Sequence, residues 1–244
     1  MLTCANLVFG CYASILALGG DYFGAMMAIV IAAVFDFADG FAARLLNAFS
    51  PIGKDLDSLA DVVSFGVAPG LILFDFIDRL QKTVDWNCPF AGKIFLLAAF
   101  TIPVFSALRL AIFNNDNRQT SSFIGLPVPA HALFWASFIY VLSLSVEGIA
   151  ISGLMPQFIF FKLPAITPLF ILLFVTFLAI GSSLLLVSQI PMFSMKIKSP
   201  AWKGNEARYT LIIAAAVFII CFSFFGISLT ILFYILFSLR SPNV

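Results

Sequence analysis

Long apolar stretches separated by short polar links make up most of this chain. Six stretches lie near the roughly 20 residues that a helix needs to cross the hydrocarbon core of a bilayer, namely residues 5–20, 23–46, 57–79, 92–113, 127–150 and 165–189. The last apolar run, residues 209–239, is too long for one crossing, and we predict that it divides near Gly226 into two short helices. A single long tilted helix is the alternative.

The composition agrees with this pattern, because 62% of the 244 residues are hydrophobic and only 10% are charged. We predict an all-α integral membrane protein with one transmembrane domain, residues 1–244, built as a bundle of about eight transmembrane helices. Its six-helix catalytic core is followed by two C-terminal helices. A net charge of +1 gives no indication of nucleic-acid binding. The cysteines lack C-x-x-C spacing and are predicted to be free, buried thiols, namely Cys4, Cys11, Cys88 and Cys221.

One polar window, residues 36–61, interrupts the apolar pattern. It holds five of the twelve acidic residues of the chain, namely Asp36, Asp39, Asp55, Asp57 and Asp61. Ionisable groups inside a membrane are costly and by default indicate a functional site. A buried cluster of purely structural acids is the alternative interpretation.

Helical spacing places most of these acids on two faces. The first face carries, at i, i+3, i+4 and i+7, Asp36, Asp39, Gly40 and Ala43. The second carries, at i, i+4 and i+8, Gly53, Asp57 and Asp61. Because Pro cannot continue a helix, we predict a turn around Ser50 and Pro51 that lets two antiparallel helices direct four carboxylates at one place.

Four carboxylates at one place would repel one another unless cations neutralise them. Ligation by carboxylates alone suits a hard divalent ion, Mg²⁺ or Mn²⁺. Four acids are sufficient for two such ions, the arrangement used in phosphoryl transfer. The small residues Gly40, Ala43 and Gly53 leave room for a ligand to approach the same faces.

The window reads D-x2-D-G-x2-A-R-x8-G-x3-D-x3-D, and in this it resembles the CDP-alcohol phosphotransferase family. The match comprises two motif arms, residues 36–44 and 53–61. The resemblance implies divalent metals held by the four motif acids, Asp36, Asp39, Asp57 and Asp61. It implies that Asp61 also accepts the proton of the attacking alcohol. The residues expected to bind the CDP pyrophosphate are Gly40, Ala43, Arg44 and Gly53.

Further stretches resemble the phosphatidylserine synthase branch of the family, namely residues 57–70, 107–114, 123–132 and, more weakly, 185–196. The branch implies CDP-diacylglycerol as donor, L-serine as acceptor, CMP as product and a homodimer in the bilayer. One departure is Ile112, where the branch usually has a second Arg. A synthase of phosphatidylglycerophosphate or of an inositol lipid is the alternative within the family, and a cation- or proton-coupled transporter is the alternative outside it.

Three residues are candidates for binding serine or the lipid phosphate: Asn6, Ser64 and Arg109. Ser64 is one turn beyond Asp61, and Arg109 lies near a helix end. More of the basic residues fall on the motif side of the bundle than on the other, so we expect the active site to face the cytoplasm, at the cell membrane if the protein is bacterial. Asp55 and Lys54 are expected to be solvated.

Overall fold

The computed structural model describes residues 1–46, 50–84, 89–115, 123–146, 168–192 and 205–240. Within these residues the α-helices are α1 (Leu2–Leu18), α2 (Tyr22–Leu46), α3 (Pro51–Val62), α4 (Ala68–Gln81), α5 (Pro89–Ala99), α6 (Thr101–Asn115), α7 (Val128–Val146), α8 (Pro168–Leu186), α9 (Glu206–Phe222) and α10 (Phe225–Arg240). A π-helical turn, Val63–Val67, joins α3 to α4 without a break. The predicted all-α architecture is confirmed.

Five continuous helical segments of the described chain are long and apolar enough to cross a membrane. They are Tyr22–Leu46, Ile52–Gln81, Gly92–Asn115, Val128–Val146 and Pro168–Leu186. Helices α1 and α10 are shorter and also apolar. Length and composition therefore confirm an integral membrane protein.

The third apolar helix begins earlier than predicted. Its expected start at residue 57 is wrong, because α3 begins at Pro51. The Ser50 hydroxyl caps this end by accepting a hydrogen bond from the Gly53 amide at 3.0 Å. Proline is favoured at the first helical position, where its missing N–H costs nothing. The polar residues before residue 57 therefore belong to the helix, in agreement with the helical face predicted from Gly53 onward.

The final apolar run divides as predicted into two helices, α9 and α10. Ser223 sits between them with a positive φ of 52°, and the Ser223 amide still bonds to the carbonyl of Ile219 at 2.8 Å. Gly226 follows the break, where a side chain would collide with the carbonyl of Phe218. The alternative of one long tilted helix is therefore excluded.

The segment Ile52–Gln81 is the most buried of the five long helices. Its glycines Gly66 and Gly70 face α6, where an added Cβ would lie 3.3 Å from the Cα of Pro103 and 2.9 Å from its Cδ, respectively. This G-x-x-x-G pair thus lets the two helices approach closely. The π-turn lies directly before Pro69, with the Ala68 amide bonded to the Val63 carbonyl.

Hydroxyl and ring groups join the buried faces of the later helices. Ser137 of α7 lies 2.6 Å from Ser228 of α10, Oγ to Oγ. His131 Nε2 lies 2.9 Å from the Ser182 hydroxyl of α8. Such bonds between helices stabilise bundles whose surroundings are as apolar as their core.

A short antiparallel ribbon connects two stretches that resemble the synthase branch. Strand β1 (Phe123–Ile124) pairs with β2 (Pro191–Met192), and the next residue, Gly125, donates its amide to the Ile190 carbonyl at 2.9 Å. Gly125 has a φ of +76°, and a side chain there would collide with the Leu186 carbonyl. The ribbon thus ties the start of α7 to the end of α8.

The cysteine prediction is wrong for three positions, because Cys4, Cys11 and Cys221 are free but exposed. In a membrane bundle the outer helix faces are themselves apolar, so a thiol need not be inside the protein. Cys88 lies outside the described residues.

Candidate active site

Helices α2 and α3 bring three motif carboxylates together. One oxygen from each of Asp36, Asp57 and Asp61 lies within 4.8 Å of the other two. Asp61 is only 8% exposed, and Asp36 and Asp57 are half-buried. A purely oxygen donor set of this size and charge fits a hard divalent cation. The predicted convergence of the two arms is confirmed for these acids.

The fourth motif acid, Asp39, lies outside that group of three. Its carboxylate accepts a hydrogen bond from the hydroxyl of Thr3, on α1. Asp39 is half-buried one turn beyond Asp36, on the same helix. The structure therefore gathers three of the four predicted ligands and engages the fourth with a neighbouring helix.

Asp61 also receives a donor from α1. The side-chain amide of Asn6 donates to Asp61 Oδ1 at 3.0 Å, and Asn6 is completely buried. Ser64, in the π-turn, donates its hydroxyl to the backbone carbonyl of Asn6 at 3.0 Å. Two of the three serine-contact candidates thus form the immediate surroundings of Asp61.

The small residues of the motif differ in their surroundings. Gly40 is exposed, and an added Cβ there would meet no atom within 4 Å. Ala43 is half-buried, whereas Arg44 is exposed in the last turn of α2. At Gly53 an added Cβ would lie 2.9 Å from the capping hydroxyl of Ser50. Open space is therefore found at Gly40, whereas the lack of a side chain at Gly53 accommodates the helix cap.

Polar contacts hold the start of α3 against the end of α6. The ammonium group of Lys54 donates to the carbonyl of Asn114 at 3.2 Å. The amide of Asn114 donates to the hydroxyl of Ser58 at 2.7 Å. Lys54 and Asp55 are exposed, as predicted. These bonds fix the second motif arm relative to the helix that carries Arg109.

Arg109 is 7% exposed on the inner face of α6. Among the described residues, neither its Nε nor its Nη2 has a hydrogen-bond partner, and its guanidinium lies 5.1 Å from the centre of the Phe113 ring. Ser106, one turn earlier, is fully buried, and its hydroxyl also has no partner within the described chain. A buried guanidinium with free donors is costly unless an anion satisfies it.

The departure from the branch pattern, Ile112, lies three positions beyond Arg109 on α6. Ile112 is 45% exposed, whereas Ser106 and Arg109 are buried. The departure therefore falls at a partly exposed position of α6, and the buried residues Ser106 and Arg109 are retained.

Another buried acidic residue, Asp75, lies well away from the acid cluster. It is fourteen positions beyond Asp61 on the same continuous helix, or about 20 Å at 1.5 Å per residue. It accepts hydrogen bonds from Tyr22 at 2.8 Å and from Arg79 at 2.6 Å. Because Asp75 is paired, it does not extend the cluster into a chain of carboxylates across the bundle.

The sequence patterns do not indicate two polar residues of this region, Thr3 and Ser106. Thr3 lies near the start of the chain, and its contact with Asp39 spans 36 positions. Ser106 belongs to an apolar helix without a periodic polar face. The one signal in the sequence is that Ser106 lies one helical turn before Arg109. Helical spacing alone does not show whether such a hydroxyl binds a ligand or only packs against another helix.

Comparison with known proteins identifies the family. The sequence model described as CDP-alcohol phosphatidyltransferase matches residues 1–163. The chain belongs to the CDP-alcohol phosphatidyltransferase family. The matched region contains both motif arms, α1 and Arg109, and the family depends on divalent metal.

Several curated relatives within this family carry one name, CDP-diacylglycerol–serine O-phosphatidyltransferase. The chain is 36% identical to the protein of Bacillus subtilis (strain 168) over 129 residues, which cover 53% of this chain and 67% of that one. It is 36% identical to the protein of Mycobacterium tuberculosis (strain ATCC 25618 / H37Rv) over 181 residues, 70% of this chain and 52% of that one. The protein of Helicobacter pylori (strain J99 / ATCC 700824) is 35% identical over 135 residues, 53% of its length. The chain therefore spans about half the length of most of these relatives.

Proposed function

We propose that the chain is a phosphatidylserine synthase, which transfers the phosphatidyl group of CDP-diacylglycerol to the hydroxyl of L-serine and releases CMP. The observation that carries the proposal is the convergence of Asp36, Asp57 and Asp61, with ligand oxygens within 4.8 Å of one another. Membership of the family supports the CDP-linked donor. The shared name of the relatives supports serine as the acceptor.

The four motif acids are the proposed metal ligands, with Asp39 completing the group, and the ions are Mg²⁺ or Mn²⁺, two in number. When bound, such ions supply positive charge that neutralises the pyrophosphate and the leaving phosphate. Gly40, Ala43 and Gly53 are the proposed small residues around the pyrophosphate, and the open space at Gly40 supports this. Arg44, exposed at the end of α2, donates to its phosphate oxygens.

The transfer begins with the serine hydroxyl held beside Asp61. The serine oxygen attacks the phosphorus that carries diacylglycerol, and the bond from this phosphorus to the bridging oxygen of the pyrophosphate breaks. The bridging oxygen leaves as part of CMP. The carboxylate of Asp61 takes the proton of the serine hydroxyl, so that charge and atoms balance.

Arg109 is the proposed anchor of an anionic group of the substrates. Two of its nitrogen atoms are buried without partners in the described chain, and one turn away Ser106 offers a further free hydroxyl. The carboxylate of serine matches a guanidinium in charge and shape. The phosphate next to diacylglycerol offers the same chemistry.

In the membrane, the apolar helices of this integral membrane protein leave the acyl chains of the donor in the bilayer while its phosphates reach the acid cluster. We place the active site on the cytoplasmic side, where soluble serine is taken up and CMP is released. We also propose that the protein is a homodimer. The orientation is measured in a variant whose four native cysteines are replaced by Ser and in which a single cysteine is introduced at exposed Asp55. Its reaction with an impermeant thiol reagent is compared in right-side-out and inverted vesicles.

An acceptor assay tests the proposed function. The purified chain, in micelles containing CDP-diacylglycerol and Mg²⁺ or Mn²⁺, is given L-serine, glycerol 3-phosphate or inositol 1-phosphate, and CMP release is measured. We expect release that depends on serine and yields phosphatidylserine. Turnover with one of the other acceptors alone would make the chain another synthase of the family, and cation binding without any turnover would favour the transporter.

Replacing Arg109 by Lys or Met tests the anchor. Loss of bonds to a charged partner costs about 1.5–3 kcal/mol, so the KM for the anchored substrate should rise roughly 10–100-fold. A rise in the KM for serine assigns the guanidinium to the carboxylate, and a rise in the KM for CDP-diacylglycerol assigns it to the phosphate. Lys93→Met, which removes an exposed cation from the same helical segment, is the control. Unchanged KM values for both substrates would contradict the proposed anchor.

A further inference from the structure

Helix α1 presents two polar side chains on a buried face otherwise made of small residues. Thr3 is 6% exposed and Asn6 is fully buried, and the same face continues through Gly10, Ala13 and Ala17. Polar groups in an apolar interior are costly unless they make hydrogen bonds. Thr3 and Asn6 are three positions apart, so one turn of the helix directs both toward the motif arms.

Each of these side chains donates to a carboxylate of a different arm. The hydroxyl of Thr3 donates to Asp39 of α2. The amide of Asn6 donates to Asp61 of α3 at 3.0 Å. One turn of α1 therefore contacts both motif arms, although neither Thr3 nor Asn6 belongs to the motif.

The close approach of α1 to the π-turn sets the position of Asn6. The hydroxyl of Ser64 donates to the Asn6 carbonyl at 3.0 Å. At Gly10 an added Cβ would collide with the Ser64 hydroxyl and lie 2.7 Å from its Cα. The absence of a side chain at Gly10 thus brings α1 near enough for Asn6 to reach Asp61.

We propose that α1 is a positioning helix, in which Thr3 and Asn6 fix the orientations of Asp39 and Asp61 for metal binding and proton transfer. A donor on one carboxylate oxygen leaves the other oxygen available and restricts rotation of the group. Both donors are neutral, so they orient the carboxylates without cancelling the negative charge that a cation requires. The direct contact of Asn6 with serine predicted from the sequence is not needed for this role.

The expected effects of removing Thr3 or Asn6 follow from the general behaviour of residues that hydrogen-bond to metal ligands. Loss of such a partner typically weakens metal binding or activity by roughly 10–100-fold. Asn6→Leu removes the amide at similar size, and Thr3→Val removes the hydroxyl at nearly the same shape. Both should bind Mn²⁺ more weakly by that factor. Asn6→Leu should also lower kcat by that factor and leave the KM for serine within about twofold, because binding of serine is assigned to other groups.

The experiment compares Mn²⁺ binding by electron paramagnetic resonance with CMP release, on the full chain in micelles. Thr3→Ser keeps the donor and should restore binding to the level of the unaltered protein. Ser14→Ala is the matched control on α1, because within the described residues the Ser14 hydroxyl bonds only to the Gly10 carbonyl of its own helix, at 2.9 Å. Gel filtration and thermal melting confirm that each variant is folded, and Thr3→Val tests the proposal if Asn6→Leu does not fold.

The turnover arm rests on the proposed function, whereas the Mn²⁺ arm does not. If the unaltered protein releases no CMP with serine, the proposed function fails, and Mn²⁺ binding still tests the positioning helix. Weaker Mn²⁺ binding in Asn6→Leu and Thr3→Val, with recovery in Thr3→Ser, would support it. Folded variants that bind Mn²⁺ as tightly as the Ser14→Ala control would overturn it.

Discussion

Replacing Asp61 by Asn changes the electrostatics of the acid cluster in a way that the structure lets us estimate. Two ionised carboxylates with oxygens at the upper limit of 4.8 Å repel by about 3.5 kcal/mol at an effective dielectric constant of about 20. Three ionised groups make three such pairs, so the repulsion totals about 10 kcal/mol before cations or protons relieve it. Asp61→Asn removes the two pairs that involve Asp61 and leaves Asp36 with Asp57.

Two measurable consequences follow for the purified protein. Without divalent metal, Asp61→Asn should melt at a higher temperature than the unaltered protein, and added Mg²⁺ or Mn²⁺ should raise its melting temperature by less. Turnover should fall by roughly 10²–10⁴-fold, the usual contribution of a general base. Thermal melting in EDTA and in metal, together with CMP release, measures both effects.

The matched control is Asp55→Asn, which removes an exposed carboxylate from the same helix but outside the cluster. It should leave turnover and the metal-dependent melting shift unchanged. Near-normal CMP release by Asp61→Asn would refute its role as the base. An identical metal-dependent shift in the Asp61→Asn and unaltered proteins would refute the account of the cluster.

Three further predictions concern the metal and the packing of the bundle. EDTA should stop CMP release and Mg²⁺ or Mn²⁺ should restore it, whereas activity in fully chelated buffer would contradict metal dependence. Gly70→Leu should lower the melting temperature, because its Cβ would lie 2.9 Å from Pro103 Cδ and overpacking costs about 1–3 kcal/mol. The control is Gly181→Ala, because an added Cβ at Gly181 would meet no atom within 4 Å. Ser137→Val should destabilise by only about 0.6 kcal/mol, the typical value of a hydrogen bond between membrane helices, as measured by denaturation in micelles.

Helical spacing within one short window was sufficient to predict the centre of the site. Asp57 and Asp61 lie one turn apart on a single helix, so their shared face follows from the period of the helix alone. Their meeting with Asp36 required only that the chain reverse near Pro51. The division near Gly226 was also predictable, because it depends on the length of one apolar run against the thickness of a bilayer.

The features that the sequence did not predict depend on contacts between distant segments. The Asn6 amide reaches Asp61 across 55 positions, and no local pattern encodes that distance. The contact between Asp39 and Thr3 likewise spans 36 positions and depends on the packing of α1. The start at residue 57 was wrong for a local reason, because the first turns of α3 are polar and lie outside the apolar stretch.

The burial of Arg109 shows a further limit of sequence patterns. In an apolar helix, an Arg near the end is expected to reach the interface, and its exposure cannot be read from spacing. The structure instead encloses it next to buried Ser106, while Ile112 on the same helix faces outward. The burial of its guanidinium, and not the residue type alone, makes Arg109 a candidate for binding substrate.

We propose that carboxylates from α2 and α3 together hold a divalent ion. Anomalous X-ray diffraction from crystals grown with Mn²⁺ tests this proposal. We expect a manganese peak bounded by carboxylate oxygens of Asp36, Asp57 and Asp61. Manganese bound elsewhere, with these three carboxylates free of metal at saturating Mn²⁺, would contradict it.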